Sequence, residues 1–235
     1  MNDAPRAKRR TPAQRQERPK KNRLPEITPD TPWRCFIAVP LPDAVRQQIR
    51  ACVDQLARTD LPIRWVDPEN GHLTLHFLGE LEPEMAELLR MTLRAATSPH
   101  EAFDLRTAEP GAFPNMRRPR VLWLGLWGPA HRLEALYNDL GDFLDDFGLE
   151  IEEAPFHPHI TLGRVRDTEG VKVGDLPEQI RTVFAALEET GLAGKEHPVP
   201  FPVTEVHLIR SYLEQDGPRY EVLAKYDLAS STHQD

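Results

Sequence analysis

Two periods of apolar residues alternate along this chain. The run Cys35-Phe36-Ile37-Ala38-Val39 is continuously apolar and predicts a buried strand over 34–39. Val45, Ile49, Val53 and Leu56 then recur at spacings of four, four and three, the stripe of a helix over 43–57 that starts at Asp43 behind Leu41-Pro42. Alternation returns as a strand over 72–78. A helix over 83–97 follows, marked by Met85, Leu88, Leu89 and Leu93, then a strand near 103–108. Val121 to Leu126 predicts another strand. Leu133, Leu136, Leu140, Phe143 and Phe147 predict a helix over 131–147, with Gly148 as its cap. A strand over 159–165, a helix near 177–189 and strands near 202–210 and 219–227 complete the pattern. Residues 110–120 read as a turn-rich, basic loop between the halves.

One four-residue segment occurs twice. His72-Leu73-Thr74-Leu75 returns as His159-Ile160-Thr161-Leu162, 87 positions later, the same separation as between residues 34 and 121, which open the two apolar strands. A shared offset for a motif and a strand predicts two related halves. The expected class is α+β: two pseudo-symmetric lobes, each an antiparallel sheet with helices on its outer face, enclosing a central groove. Residues 33–230 would form this single bilobal catalytic unit.

Charge changes the picture at the N-terminus. Residues 1–30 hold nine basic and four acidic residues, a net +5, which leaves −13 on the rest of a chain whose total is −8. A basic segment with so few apolar residues cannot offset its ordering entropy, so 1–32 is expected to be a disordered tail. It could attract RNA phosphates or simply be solvated. The acidic body argues against broad nonspecific nucleic-acid binding. The two cysteines, Cys35 and Cys52, form no CxxC pair and fit a reduced protein, so a cytoplasmic location is expected. No apolar run approaches the ~20 residues of a membrane span.

The chemistry resides in the repeated segment. On a strand, residues i and i+2 share a face. Each copy therefore presents a histidine and a threonine together while its apolar neighbours face a core. Histidine holds both protonation states near neutrality. One imidazole from each lobe would supply an acid and a base on opposite sides of a phosphorus atom, as in-line displacement requires, and Thr74 and Thr161 would donate to the non-bridging oxygens. Acid, base and charge stabilisation are then all present, so no metal or cofactor is expected.

With these residues in view, the chain resembles the 2H phosphoesterases, and among them the bacterial and archaeal RNA 2′,3′-cyclic phosphodiesterases, also called 2′-5′ RNA ligase-like. The likeness rests on Arg34 to Pro42, Trp65 to Leu75, Arg120 to Gly125, Phe156 to Leu162, Ser211 and Gly217 to Tyr220, and covers roughly 34–227. It implies hydrolysis of RNA 2′,3′-cyclic phosphate ends to 2′-phosphates, with His72 as proton donor to the leaving 3′ oxygen and His159 as the base acting on water. The residues themselves do not say which histidine does which. It also implies that Arg164 lies against the nucleobase, with Phe36 a candidate for its other side and a core residue otherwise. Strict alternation sets Arg164 on the face opposite His159, so the strand must bulge or end there.

His76 and His157 stand two residues from a motif threonine and a motif histidine. His76 is read as sharing the face of His72 and Thr74, and both are expected at the rim of the site or behind it. A four-histidine zinc set (His72, His76, His157, His159) is the metal alternative. Pro158 twists the chain within it, and no carboxylate or cysteine stands beside either pair. Arg117, Arg118 and Arg120 could hold the RNA strand or belong to a solvated loop. A nucleotide-driven ligase is excluded: no KxDG lysine occurs, and Gly191-Leu192-Ala193-Gly194-Lys195-Glu196 lacks the Walker spacing and hydroxyl. Any joining would be the reverse of ring opening. The remaining alternative is an RNA-end binding protein without turnover. The expected partners are RNA with a 2′,3′-cyclic end or small cyclic nucleotides, no membrane, and a monomeric protein.

Overall fold

The computed structural model describes residues 31–151, 155–166, 175–215 and 217–230; residues 1–30, which make up nearly all of the expected tail, lie outside them. The elements are β1 (Trp33–Pro40), α1 (Asp43–Leu56), β2 (Ile63–Trp65), β3 (His72–Leu81), α2 (Pro83–Thr92), α3 (Arg94–Thr97), β4 (Phe103–Phe113), β5 (Val121–Trp127), α4 (Ala130–Asp146), β6 (His159–Val165), α5 (Leu176–Glu189), β7 (Pro200–Val203), β8 (Glu205–Glu214) and β9 (Gly217–Asp227). The class is α+β, as the periodicities predict. Helix α4 ends as expected: Gly148 takes φ +82°, its N–H bonds the carbonyl of Asp145, and Leu149 N–H reaches back to Leu144.

Among the described residues the strands join in one nine-stranded sheet of order β7-β4-β5-β6-β3-β1-β8-β9, with β2 attached to β6 and each of these ladders antiparallel. The two lobes are β3-β1-β8-β9 and β6-β5-β4-β7. They meet edge to edge at a single pair, Leu73 with Ile160.

The lobes are not the two halves of the sequence. Strand β4 follows the first motif in the chain but pairs with β5 in the second lobe, while β8 and β9, from the C-terminus, extend β1 in the first. The strand expected over 202–210 breaks at Thr204, and its pieces go to opposite ends of the sheet: β7 to β4 and β8 to β1. The helices cross over too. Helix α1 packs against β6 and α5, and α4 against β3 and α3. The expected loop 110–120 is shorter than its composition suggests. Pro110 to Phe113 continue β4 past an irregularity between Thr107 and Pro110, where a proline need not donate to the ladder.

Between helices and sheet lies one large core. It includes Val45, Ile49, Cys52, Val53 and Leu56 of α1, Leu133, Leu136 and Leu140 of α4, and the motif neighbours Leu73, Leu75, Ile160 and Leu162. Both cysteines are free and buried here, and burial pushes each thiol up to about 12. The open face of the first lobe carries a smaller apolar cluster of Phe36, Ala38 and Ile209, with Tyr220 against it. No helix among the described residues is long and apolar enough to cross a membrane.

Candidate active site

Both motif histidines stand at the first residue of their strands, β3 and β6. Each ring is held the same way. His72 Nδ1 lies 2.8 Å from the carbonyl oxygen of Asn70, and His159 Nδ1 lies 2.7 Å from that of His157. A carbonyl only accepts, so Nδ1 carries the proton in both rings and Nε2 is left to act as base or acid. The motif neighbours turn into the core while His72, Thr74, His159 and Thr161 remain partly exposed. Continuing the Leu73–Ile160 register by one residue sets His72 across from Thr161 and Thr74 across from His159. The two histidines are then diagonal neighbours, at a typical separation of roughly 7–8 Å. His72 feels the charges of His159 and Arg164 from the other lobe, whereas the charges on His159, those of Arg164 and His157, come from its own.

A bulge follows each motif at the same step. On β3, Ala38 faces Thr74 and Ile37 faces His76, so Leu75 is the extra residue. On β6, Trp123 faces Thr161 and Leu122 faces Gly163, so Leu162 is extra. An extra residue reverses which face the following side chains take. Arg164 is thereby exposed on the side of the histidines, the bulge that its expected position demanded. Phe77, at the matching place after the first motif, is likewise turned outward, 57% exposed and 6.1 Å from Phe36.

The same bulge corrects the placement of His76. It does not share a face with His72 and Thr74. It is buried beneath the sheet, stacked 4.2 Å from the Tyr137 ring of α4, with Nε2 2.8 Å from the Tyr137 carbonyl oxygen. The four-histidine set is therefore not brought together. Among the described residues no group of three or more His, Cys, Asp or Glu side chains is arranged to hold a metal. His157 is exposed; its carbonyl accepts from His159 Nδ1 and its ring lies 6.1 Å from that of Phe113.

Aromatic rings surround both imidazoles. Phe36 lies 4.8 Å and Tyr220 5.4 Å from His72. Phe113 lies 4.8 Å and Trp123 6.3 Å from His159. This desolvation is the main reason that both histidines sit below their ordinary value of 6.5. The carbonyls of Asn70 and His157 oppose the shift. The charges of His159 and Arg164 add to it at His72, and those of Arg164 and His157 at His159. Tyr220 and Phe113 are the contributors that periodicity misses: they come from β9 and β4, far from either motif in the chain. Phe36 is buried under His72 and Tyr220, at once floor of the groove and wall of the imidazole. Arg117 and Arg118 lie exposed at the β4–β5 turn, their N–H groups on Asn115 Oδ1.

Two imidazoles, two hydroxyls and one guanidinium on one open face are groups that can move protons and hydrogen-bond the oxygens of a phosphoester. Comparison with known proteins points to the same class of chemistry, a phosphoesterase. The model of the LigT like Phosphoesterase family matches residues 39–123 and 128–220. The chain is 32% identical over 179 residues to the RNA 2′,3′-cyclic phosphodiesterase of Aeropyrum pernix, a match covering 76% of this chain and 93% of that one. It is 35% identical over 194 residues to the same-named protein of Thermotoga maritima, covering 81% and 92%. The crystal structure of E. coli LigT complexed with 3′-AMP superposes with a TM-score of 0.61 at 30% identity, covering 84% of this chain and 98% of that one. The chain belongs to the LigT-like phosphoesterases, within the 2H superfamily.

Proposed function

We propose that this protein hydrolyses 2′,3′-cyclic phosphodiester ends of RNA to 2′-phosphomonoesters, with His72 and His159 as an acid–base pair and without a metal. Water attacks phosphorus and gives its proton to Nε2 of His159. The P–O3′ bond breaks on the opposite side, and Nε2–H of His72 protonates the leaving oxygen. Thr74 and Thr161 donate to the two non-bridging oxygens, on which negative charge grows. Arg164 and Phe36 are assigned to the nucleobase. Residues 33–230 act as one catalytic unit in this reading, and 2′-5′ joining is the same ring opening with a 5′-hydroxyl end in place of water: the P–O5′ bond forms, P–O3′ breaks, and the proton passes to O3′.

The observation that carries the proposal is the matched tethering of the two imidazoles. Both Nδ1 atoms are bonded to a backbone carbonyl, and the rings come from separate strands that abut at Leu73 and Ile160. The relatives' printed name supports the substrate class. The experiment is to incubate the protein with an oligoribonucleotide ending in a 2′,3′-cyclic phosphate in the presence of EDTA. A 2′-phosphate is the expected product. A 3′-phosphate would reverse the assigned leaving group, no reaction would leave an RNA-end binder, and activity abolished by EDTA and restored by zinc would overturn the metal-free mechanism.

A further inference from the structure

Outward from His159, the open face of the second lobe carries a row of aromatic side chains that the hydrolytic step does not use. Alternation along β5 sets Trp123, Gly125 and Trp127 on one face, and the ladder pairs Trp123 with Thr161 and Gly125 with His159. Trp127 therefore lies two residues beyond the cross-strand partner of the histidine, about 7 Å further along the strand. The Trp123 indole lies over Gly111 and reaches the edge of Gly125. A Cβ at Gly111 would collide with that ring, and one at Gly125 would come within 3.3 Å of it. Glycine at 111 and 125 therefore makes the room in which that indole lies flat against the sheet.

At the far end the floor opens into a cleft of about 740 Å³, lined by Asp104, Arg106, Trp127, Pro129, Pro200 and Pro202 among others. Trp127 is 60% exposed, unusual for an indole. Arg106, its cross-strand partner, holds its guanidinium 4.2 Å over one side of the ring. A flat apolar surface beside a fixed cation matches a nucleotide: the base stacks on the ring and the phosphate meets the cation. The prolines of the lining give the cleft walls that lose little entropy on binding.

We propose that this cleft is a second RNA-binding subsite, which takes a nucleotide on the 5′ side of the cyclic end by stacking its base on Trp127 and pairing its phosphate with Arg106. The activity proposed above serves this inference only in naming which end of the strand lies at the histidines. The subsite makes the protein prefer RNA strands over cyclic mononucleotides.

The test compares Trp127→Ala and Trp127→Phe with the unaltered protein on two substrates, a 2′,3′-cyclic mononucleotide and a short oligoribonucleotide with the same end. Trp127→Ala is expected to raise KM for the oligonucleotide about 10-fold, the scale of one lost base–aromatic stack, with kcat unchanged and the mononucleotide unaffected. Trp127→Phe should restore most of the loss. Equal losses on both substrates, or none on either, would overturn the subsite. Binding of an oligoribonucleotide with an ordinary 3′-hydroxyl end, read by fluorescence anisotropy, separates this inference from the activity. If no cyclic phosphate is opened but Trp127→Ala binds RNA about 10-fold more weakly, the subsite stands and the hydrolytic reading falls. If RNA affinity is unchanged, the subsite falls whatever the activity.

Discussion

The two lobes carry the same four-residue motif, the same carbonyl tether and the same bulge, yet they surround their histidines differently. After the first motif the outward residue is Phe77; after the second, at the matching position, it is Arg164. His72 is walled by Phe36 and Tyr220, whereas His159 lies between Phe113 and Trp123 with the charges of Arg164 and His157 acting on it. Beneath the sheet the first bulge seats His76 on Tyr137. The second seats Gly163, where a Cβ would strike Ile63 and Trp65 of β2. A repeated backbone device thus turns an apolar side chain outward after one motif and a cation outward after the other, while the charge of that cation reaches both rings. The proposed reaction assigns these two imidazoles, in unlike surroundings, to unlike tasks, one giving a proton while the other takes one.

The largest effect expected is from removing either imidazole. His72→Ala and His159→Ala should each lower kcat/KM on a cyclic-phosphate oligonucleotide by about 10²–10⁴, measured by steady-state kinetics, while RNA binding changes little. The double variant should be scarcely worse than the worse single one, because the pair acts as a unit. A strongly asymmetric loss would sharpen the comparison by showing which wall hosts the harder proton transfer; full activity in the double variant would end it. Next come the hydroxyls. Thr74→Val and Thr161→Val keep shape and remove one donor each, and kcat should fall by about 10² for either, with KM nearly unchanged.

The pH profile tests the walls themselves. Both histidines are depressed below 6.5 in the folded protein, so the bell of kcat/KM should be centred on the acidic side of pH 6.5. Arg164→Gln removes a positive charge that acts on both rings, so both limbs should move to higher pH, whereas Phe77→Leu should leave them in place. A profile that shifts equally in both variants would mean that the walls differ in shape and not in electrostatics.

The smallest effect concerns His76. Its ring is buried against Tyr137, and burial holds it below 6.5. His76→Ala should cost about 1–3 kcal/mol in urea unfolding, the loss of a buried hydrogen-bonded group, with kcat/KM intact. His72, His76 and His159 all have folded values below those of the unfolded chain. Below about pH 6.5 the unfolded chain therefore binds more protons, so their contribution to stability is present above that pH and is lost as pH falls through the folded values. Urea midpoints at pH 8 and pH 5 should differ less in His76→Ala than in the unaltered protein.

Local information was legible from the residues alone. Spacing along 43–57 marked α1, and Gly148 marked the end of α4. Two His-x-Thr segments 87 positions apart announced a paired site and the inward turn of Leu73, Leu75, Ile160 and Leu162. The need for the strand to bulge or end before Arg164 came from alternation only together with the place that the family resemblance gives that arginine. Short pieces escaped: β2 has three residues, too few for any period to register. His76 was misplaced because a bulge at Leu75 leaves no mark of its own in an apolar strand; Leu75-His76 reads as ordinary alternation until a partner strand shows that one residue is extra.

The sequence by itself determined the elements, the paired imidazoles and hydroxyls, and the face each presents up to the bulge. These depend on neighbours three or four residues away at most, which the periods of helix and strand encode. Tertiary structure alone decided that β4, β8 and β9 change lobes, that the two sheets join at one residue pair, that Tyr220 and Phe113 enclose the histidines, and that Trp127 opens a cleft beyond them. Those outcomes are strand pairings between distant segments. They are set by which edges can satisfy each other's hydrogen bonds and share a core, and no local period records that choice.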